Sequence, residues 1–354
     1  MKKSRAISSC AMALTLAFCG AAFAETVKIG IPSKISLTFA PIIAAEELGY
    51  FEKEGLDIEI IEFQGSSVLL PQIANKSVTF GFANADPVIL SRDTGRDPLP
   101  VRFVYNAARE SIWEFAVPAN SEIKTLADLK GKTIGVGALT NGNVPIIRSM
   151  LSELGFVEGT DYFLMAIGDG PIAYRATLNG DVDVYNGNDV FVAQFSNVAD
   201  IRRLPVPEKY RSLFANGFVT HADNVVENRK TIEGFGRAVS KGMVACEKDI
   251  EYCVKNFWEK HPELRPTATP SQTDIDNAKT VLAARLSKYL YFADDTDRNF
   301  GEYDPASWES FVELLHDGDQ LTSKEIDLSS LYTNELVPAY NDFSADDIRI
   351  GVDN

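Results

Sequence analysis

Apolar residues recur in two alternating patterns along the first two thirds of the chain. Short runs rich in β-branched residues, at 27–31 and 133–136, predict buried strands. Each run leads through a polar loop into apolar positions at helical spacing, which stop at Gly49 and at Gly155. A second strand, a helix and a third strand are predicted after each glycine. Strands that alternate with helices indicate parallel sheets covered on both faces, so the pattern predicts an α/β fold.

The two patterns are copies of one plan. Blocks of sequence recur after 104 to 106 residues: 27–31 as 132–136, 41–43 as 145–147, 47–51 as 153–156 and 75–80 as 179–184. The second predicted strands, at 56–63 and 162–167, occupy corresponding places between these blocks. Blocks that recur in register indicate two lobes of the same architecture.

After about Thr220 the apolar spacing becomes helical and no strong strand is predicted. Helices are predicted at 232–244, 250–258, 274–288, 307–315 and 330–340. Since these helices have no sheet of their own, we expect them to pack on the first lobe, with chain crossings near 111–118 and 214–220. The predicted divisions are a leader at 1–24, lobe one at 25–113, lobe two at 114–216 and a return to lobe one at 217–354.

The first 24 residues have the pattern of a cleavable export signal. Lys2, Lys3 and Arg5 precede an apolar stretch too short to span a bilayer, and 22–24 (AFA) offers a small-residue cleavage site. A mature chain beginning at Glu25 is therefore predicted in the periplasm. A lipid-attachment site is not expected, because Phe18 precedes Cys19. We predict a monomer with no direct membrane insertion.

The charge balance disfavours nucleic acid as a partner. The chain carries 34 Lys and Arg against 50 Asp and Glu, a net charge of -16. Removing the leader takes away three bases and no acid, so the mature chain stands at -19. A chain this acidic is repelled by phosphate backbones and by anionic lipid surfaces.

Two cysteines, Cys246 and Cys253, remain after cleavage in an oxidising compartment. On one continuous helix they would lie roughly 10 Å apart, beyond disulfide reach. A break before Asp249, acting as the N-cap of a second helix with Glu251 in its first turn, would allow a bridge. Two buried free thiols are the alternative.

Three blocks of this sequence resemble one family. They are 46–57 (EELGYFEKEGLD), 126–136 (LADLKGKTIGV) and 178–183 (LNGDVD), together with the opening 29–31 and Pro41. The chain resembles, over nearly its whole mature length, the periplasmic solute-binding proteins of ABC importers, in the nitrate, sulfonate, taurine and thiamine-precursor (NMT1/THI5-like) group. The resemblance implies a two-lobed, type II-like clamp that closes on a small molecule and is then recognised by a membrane permease.

The sequence offers little support for an enzyme active site. The three histidines, His221, His261 and His316, do not lie at metal spacing with another His or Cys, and no Walker or Gly-x-Ser-x-Gly motif occurs. We therefore predict a binding protein with no catalytic residue, no metal and no cofactor. The alternatives are a secreted enzyme similar to thiamine-pyrimidine synthases and a sensor that hands a ligand signal to a membrane receptor.

Ligand contacts are predicted in the loops that follow the strands, because ligands bind beyond the carboxyl ends of strands in open α/β sheets. The candidates are Ser36, Thr38, Phe39, Ser66, Ser67, Asn84, Asp86, Arg109 and Trp113 in lobe one and at the crossing, and Thr140, Asn141, Asp169, Tyr185, Asn188 and Asp189 in lobe two. Each polar residue among them is also an ordinary cap or turn residue.

The charge of the predicted cleft indicates the character of the ligand. Lys34 and Arg109 are its expected cations, against carboxylates that include Asp86 and Asp189. An unpaired carboxylate beside an anion is costly, so these groups favour ligands with N–H donors. The prediction is a nitrogen heterocycle or small zwitterion; a sulfonate, nitrate or aromatic carboxylate is the alternative.

Overall fold

The structure is a computed structural model that describes residues 24–292, 294 and 298–350. The predicted leader, apart from Ala24, lies outside the described residues. Within the described part of the chain, no helix is long and apolar enough to cross a membrane.

The first of two five-stranded sheets is built from the two ends of the chain. Its strands are β1 (Glu25–Ile31), β2 (Leu56–Glu62), β3 (Phe80–Ala83), β4 (Val101–Asn106) and β10 (Gly217–His221). They lie in the order β2-β1-β3-β10-β4. β1 is parallel to both neighbours, whereas β10 is antiparallel to β3 and β4.

The second sheet repeats this plan in the middle of the chain. Its strands are β5 (Trp113–Pro118), β6 (Lys132–Val136), β7 (Tyr162–Ala166), β8 (Val184–Asn188) and β9 (Ile201–Arg203). The order is β7-β6-β8-β5-β9, with β5 as the antiparallel strand. Because β6, β7 and β8 take the places of β1, β2 and β3, the predicted repeat and the two-lobed α/β fold are confirmed.

Helices cover both sheets. Before residue 200 they are α1 (Ala40–Glu47), α2 (Tyr50–Lys53), α3 (Ser66–Ala74), α4 (Asp86–Ser91), α5 (Asn143–Ser152), α6 (Pro171–Asn179) and α7 (Asp189–Val198). After it come α8 (Glu208–Arg211), α9 (Asn224–Glu227), α10 (Arg229–Lys248), α11 (Ile250–Lys260), α12 (Gln272–Tyr289), α13 (Pro305–Asp317) and α14 (Val337–Tyr340).

The chain passes between the sheets twice, between β4 and β5 and between β9 and β10. The two crossing segments are hydrogen-bonded to each other. The Ala108 amide donates to the Asn216 carbonyl and the Ala215 amide donates to the Ala108 carbonyl, both at 2.8 Å. The paired segments form a narrow double connection near the two crossings that the sequence predicts. The exact division into lobes remains a prediction.

The helix predicted at 330–340 is wrong over most of its length. Only α14 is helical in that region, after a single 3-10 turn at Leu328–Ser330. The Phe103 amide donates to the Leu331 carbonyl at 2.8 Å, and the Thr333 amide donates to the Phe103 carbonyl at 3.0 Å. Pairing with β4 thus takes the backbone groups that a helix would use. The other four helices predicted after Thr220 are present as α10, α11, α12 and α13.

The C-terminal helices do not all pack on the first lobe alone. α10 packs on α1, as expected, but α12 also contacts α7 and α13 contacts α5, both of which flank the second sheet. α12 therefore connects the two lobes. Helical periodicity indicates that a helix has a buried face but does not show which elements that face packs against.

A disulfide joins Cys246 to Cys253, so the bridged alternative is the one the structure contains. α10 ends at Lys248 and the Asp249 carboxylate accepts the Tyr252 amide at 2.9 Å as the N-cap of α11. This break brings the two Cα atoms to 5.5 Å. Both cysteines are fully buried between α10, α11 and the first-lobe core.

Replacing both Cys246 and Cys253 with alanine is expected to lower the free energy of unfolding by about 2.5 kcal/mol, because the bridge restricts a short loop of the unfolded chain. Urea unfolding of the oxidised protein and the double variant measures the difference. Adding reductant should lower the urea midpoint of the unmodified protein and leave the midpoint of the double variant unchanged. Equal midpoints for the two oxidised proteins would contradict the prediction.

Candidate functional site

The strand ends of the two sheets face one another across a small cavity, which we call the inner cavity. It has a volume of about 30 Å³, room for one or two water molecules. Its lining is Pro32, Ser33, Thr38, Phe39, Ser66, Phe82, Asn84, Ile112, Trp113, Asn141, Gly142, Asp169, Asn188, Asn216 and Arg285. Because both halves of the chain contribute, the cavity exists only when they are close together.

On the first-sheet side, a chain of short polar contacts fixes the wall of the inner cavity. The Asn84 amide, just after β3, donates to the Ser66 hydroxyl at the start of α3 at 3.2 Å. The Asn216 side-chain amide donates to the Asn84 side-chain oxygen at 2.9 Å. Phe39 and Phe82 meet edge to face at 5.2 Å and supply an apolar surface beside this chain.

On the second-sheet side, the polar groups come from the loops after β6, β7 and β8. Asn188 accepts the Phe191 amide at 3.1 Å and so caps α7. Asp169 follows β7, and burial raises the pKa of its carboxyl from 3.8 to about 6. An ionised Asp169 can accept hydrogen bonds from a bound molecule at neutral pH.

Arg285 is the cation of the inner cavity. It lies on α12, fully buried, and its Nε donates to the Asp189 carboxylate oxygens at 3.0 and 3.1 Å. Its Nη2 donates to the same carboxylate. Asp189 is the first residue of α7, where the helix dipole and the Val190 amide, at 2.9 Å, also favour negative charge. The pair is electrically neutral and joins α12 to α7.

Among the residues that line the inner cavity, four buried polar atoms have no hydrogen-bond partner in the described part of the chain. They are Thr38 Oγ1, Asn84 Nδ2, Trp113 Nε1 and Arg285 Nη1. Three of these atoms are N–H donors only, and the hydroxyl can also donate. Since buried polar groups are almost always paired, this convergence indicates a place where a molecule with several acceptor atoms is held.

The structure brings eight of the fifteen predicted ligand contacts together. Thr38, Phe39, Ser66, Asn84, Trp113, Asn141, Asp169 and Asn188 line the inner cavity. Ser36 lies outside it, in a groove that opens next to Asp169. Their contact with a ligand stays a prediction.

The structure places the other six predicted residues elsewhere. Ser67 and Thr140 touch across the cleft: the Ser67 amide donates to the Thr140 carbonyl at 3.2 Å. Arg109 turns away, donates to the Asn299 carbonyl and lies 4.4 Å from the centre of the Phe292 ring. Tyr185 is fully buried against the Tyr174 ring.

The expectation that Asp86 and Asp189 present free carboxylates to the ligand does not hold. Asp189 is neutralised by Arg285. Asp86 is fully buried at the start of α4, outside the cavity lining, and burial raises the pKa of its carboxyl well above the usual range. Lys34, one of the two expected cations, is paired with Glu62 at 2.7 Å.

Arg285 is the main residue that sequence reasoning missed. A signal was present, because Arg285 falls on the apolar face of its helix, with Val281, Leu282, Leu286 and Tyr289 at helical spacing. An arginine on such a face needs a buried partner, yet its spacing does not show which element supplies the partner.

The two sheets and the cleft between them have the fold of two-lobed periplasmic binding proteins. Among solved structures, the alkanesulfonate-binding protein SsuA from Xanthomonas axonopodis pv. citri, bound to MOPS, is similar with a TM-score of 0.64. The two sequences are 15% identical, and the match covers 87% of this chain and 99% of that one. At this identity the likeness shows the fold alone.

Comparison of sequences gives the family. The model described as NMT1/THI5 like matches residues 36–249, so the chain belongs to the NMT1/THI5-like family. The riboflavin-binding protein RibY of Chloroflexus aurantiacus is 22% identical over 86% of this chain and 83% of its own length. The formylaminopyrimidine-binding protein of Halalkalibacterium halodurans is 25% identical over 84% of this chain and 86% of its own. Both relatives are named as binding proteins.

Proposed function

We propose that the chain is the periplasmic substrate-binding component of an ABC importer and that it captures a small organic molecule by closure of its two lobes. The favoured ligand is a nitrogen heterocycle that carries carbonyl acceptors and at least one N–H donor; a small zwitterion is compatible. The partner would be a membrane permease, to which the loaded protein delivers its ligand.

The observation that carries this proposal is the set of unpartnered polar atoms in the inner cavity. Asn84 Nδ2, Trp113 Nε1 and Arg285 Nη1 are donors that suit carbonyl oxygens or ring nitrogens. Asp169 supplies the complementary acceptor for an N–H group. A cyclic ureide edge, in which carbonyl and N–H groups alternate, matches this combination of donors and acceptor.

The electrostatics of the inner cavity disfavour a bare anion. The charge of Arg285 is cancelled by Asp189, so nitrate or a sulfonate would meet no uncompensated cation among the residues that line the inner cavity. The same anion would approach Asp169, which carries negative charge above pH 6. Bringing a second negative charge to a buried carboxylate costs free energy, so neutral ligands are favoured.

The double connection between the lobes supports capture by hinge motion. The inner cavity has room for one or two water molecules and a heterocyclic ring is larger, so a ligand would enter when the lobes separate. The crossing segments, paired through Ala108, Ala215 and Asn216, are where such a motion would bend the chain.

Thermal-shift screening of the purified protein tests the ligand class. The panel holds uracil and other pyrimidines, amino-sulfonates, aromatic carboxylates and nitrate, and isothermal titration follows each hit. The proposal expects the largest stabilisation from a neutral heterocycle and a smaller radius of gyration in small-angle scattering on its addition. Strongest stabilisation by nitrate or a plain alkanesulfonate would refute the ligand assignment. A product released in place of unchanged ligand would refute a binding role.

The affinity for uracil is expected to fall about tenfold between pH 7 and pH 5, because protonation of Asp169, whose pKa is about 6, removes the negative charge that strengthens its hydrogen bond to the ligand N–H. Titration calorimetry over this range measures the fall. The Asp169→Asn variant should bind uracil more weakly at pH 7 and show little pH dependence. Loss of folded protein does not explain the fall in affinity. Because the pKa of Asp169 is raised in the folded state, protonation of its carboxyl as the pH drops stabilises the folded protein. An unmodified protein with constant affinity would contradict the prediction.

A further inference from the structure

A wide groove lies beside the inner cavity, and we propose that it is an outer subsite for the apolar part of the same captured molecule. The inference rests on the proposed function and sharpens its ligand class: a heterocycle fused to, or substituted with, a second apolar ring, in preference to a single small ring. We call this groove the outer groove.

The outer groove lies next to the inner cavity, and Asp169 is the residue that borders both. Asp169 lines both spaces, so a molecule whose polar edge faces Arg285 would leave the inner cavity past this carboxylate. The outer groove offers about 1080 Å³, slightly more than the usual volume of sites that hold drug-sized molecules. Because the inner cavity is small, the rings beyond the one that carries the polar edge would extend into the outer groove.

The walls of the outer groove come from both lobes and combine apolar side chains with charged and amide groups. Leu178 on α6 and Val198 at the end of α7 line one side, with 50% and 68% of their surfaces exposed. Leu264 and the buried Trp258 line the opposite side. Exposed apolar side chains that face each other across a cleft mark a binding surface, and an apolar ring between them would remove them from water.

A buried hydroxyl in the same groove points independently to a ligand. Ser36 is 5% exposed, lines the outer groove, and its Oγ has no hydrogen-bond partner in the described part of the chain. The charged pair Lys34 and Glu62, joined at 2.7 Å, borders the same loop and is already satisfied. Ser36 is therefore available to a polar substituent on the outer part of the ligand.

Two probes with the same cyclic ureide edge separate the inner and outer contributions. Uracil is a single ring, whereas lumichrome carries the same edge on a fused, methylated ring system. We expect lumichrome to bind at least tenfold more tightly than uracil, measured by calorimetry and by quenching of lumichrome fluorescence. Val198→Asp and Leu178→Asp should each weaken lumichrome binding about tenfold and leave uracil within twofold.

The matched control is Val226→Asp, an equally simple change at a valine that is 84% exposed on α9 and does not line the outer groove. Val226→Asp should change neither the affinity for uracil nor the affinity for lumichrome. Equal affinities of the two probes, or unchanged lumichrome binding in both groove variants, would overturn the outer subsite while leaving the proposed function standing. Failure of both probes to bind would overturn the heterocycle assignment, and this inference with it.

Discussion

Replacing Asp189 with alanine is expected to lower the free energy of unfolding by about 3 to 5 kcal/mol, the largest loss we predict for a single side chain. The reason is the environment of Arg285, whose side chain is 1% exposed and has its Nε and Nη2 groups bonded to that carboxylate. Without Asp189 a buried guanidinium charge has no counter-charge. Urea unfolding followed by circular dichroism measures the loss.

Two controls separate this effect from the loss of an ordinary ion pair. The double variant Asp189→Leu with Arg285→Met should be more stable than Asp189→Ala, because it leaves no buried charge. Glu158→Ala removes the partner of Arg148 from a pair whose side chains are 35% and 38% exposed, and should cost less than about 1 kcal/mol. If Asp189→Ala cost no more than Glu158→Ala, the buried pair would not stabilise the contact between α7 and α12.

Replacing Gly65 with alanine is expected to weaken ligand binding about ten- to a hundredfold, because the new methyl group blocks closure. Gly65 has φ +96°, and a Cβ atom there would lie 2.4 Å from the Thr140 carbonyl oxygen across the cleft. The Thr140 hydroxyl also donates to the Gln64 carbonyl at 2.5 Å, so the two loops touch here. The clash exists only when the lobes are together. Calorimetry with uracil or the best screening hit measures the affinity.

Gly95→Ala is the matched control for backbone strain. Gly95 has φ +80°, and no atom of the described residues would lie within 4 Å of a Cβ there. Both variants carry the cost of an alanine at positive φ, but only Gly65→Ala meets the other lobe. Small-angle scattering with saturating ligand should show a larger radius of gyration for Gly65→Ala than for Gly95→Ala. Equal radii and equal affinities would show that this contact does not control closure.

Elements with local signals were predictable from the sequence. The strands β1 and β6 follow from β-branched runs, α11 follows from apolar positions at helical spacing, and the repeat shows that the two sheets share a plan. These features depend on residues close together in the chain, whose preferences survive in any tertiary setting. The same logic predicted a site in the strand-end loops, and eight of the predicted residues line the inner cavity.

Elements decided by partners far along the chain were not predictable. Residues 331–333 leave the helical pattern because β4 offers hydrogen bonds to their backbone. Asp189 looked like a free carboxylate because its partner lies 96 residues away on α12. Arg109 looked like a cleft cation, although tertiary packing turns it towards Phe292.

By itself, the sequence of this protein determined its class of fold, its doubled plan and the edges of the sheets where a ligand would bind. The tertiary structure decided the chemistry of that place, because charge and hydrogen bonding depend on which distant groups meet. It neutralised Arg285 with Asp189, left Thr38, Asn84 and Trp113 with unpartnered polar atoms, and raised the pKa of Asp169 by burial. Periodicity indicates which face of a helix or strand is buried. Only the assembled fold shows which residues that face packs against.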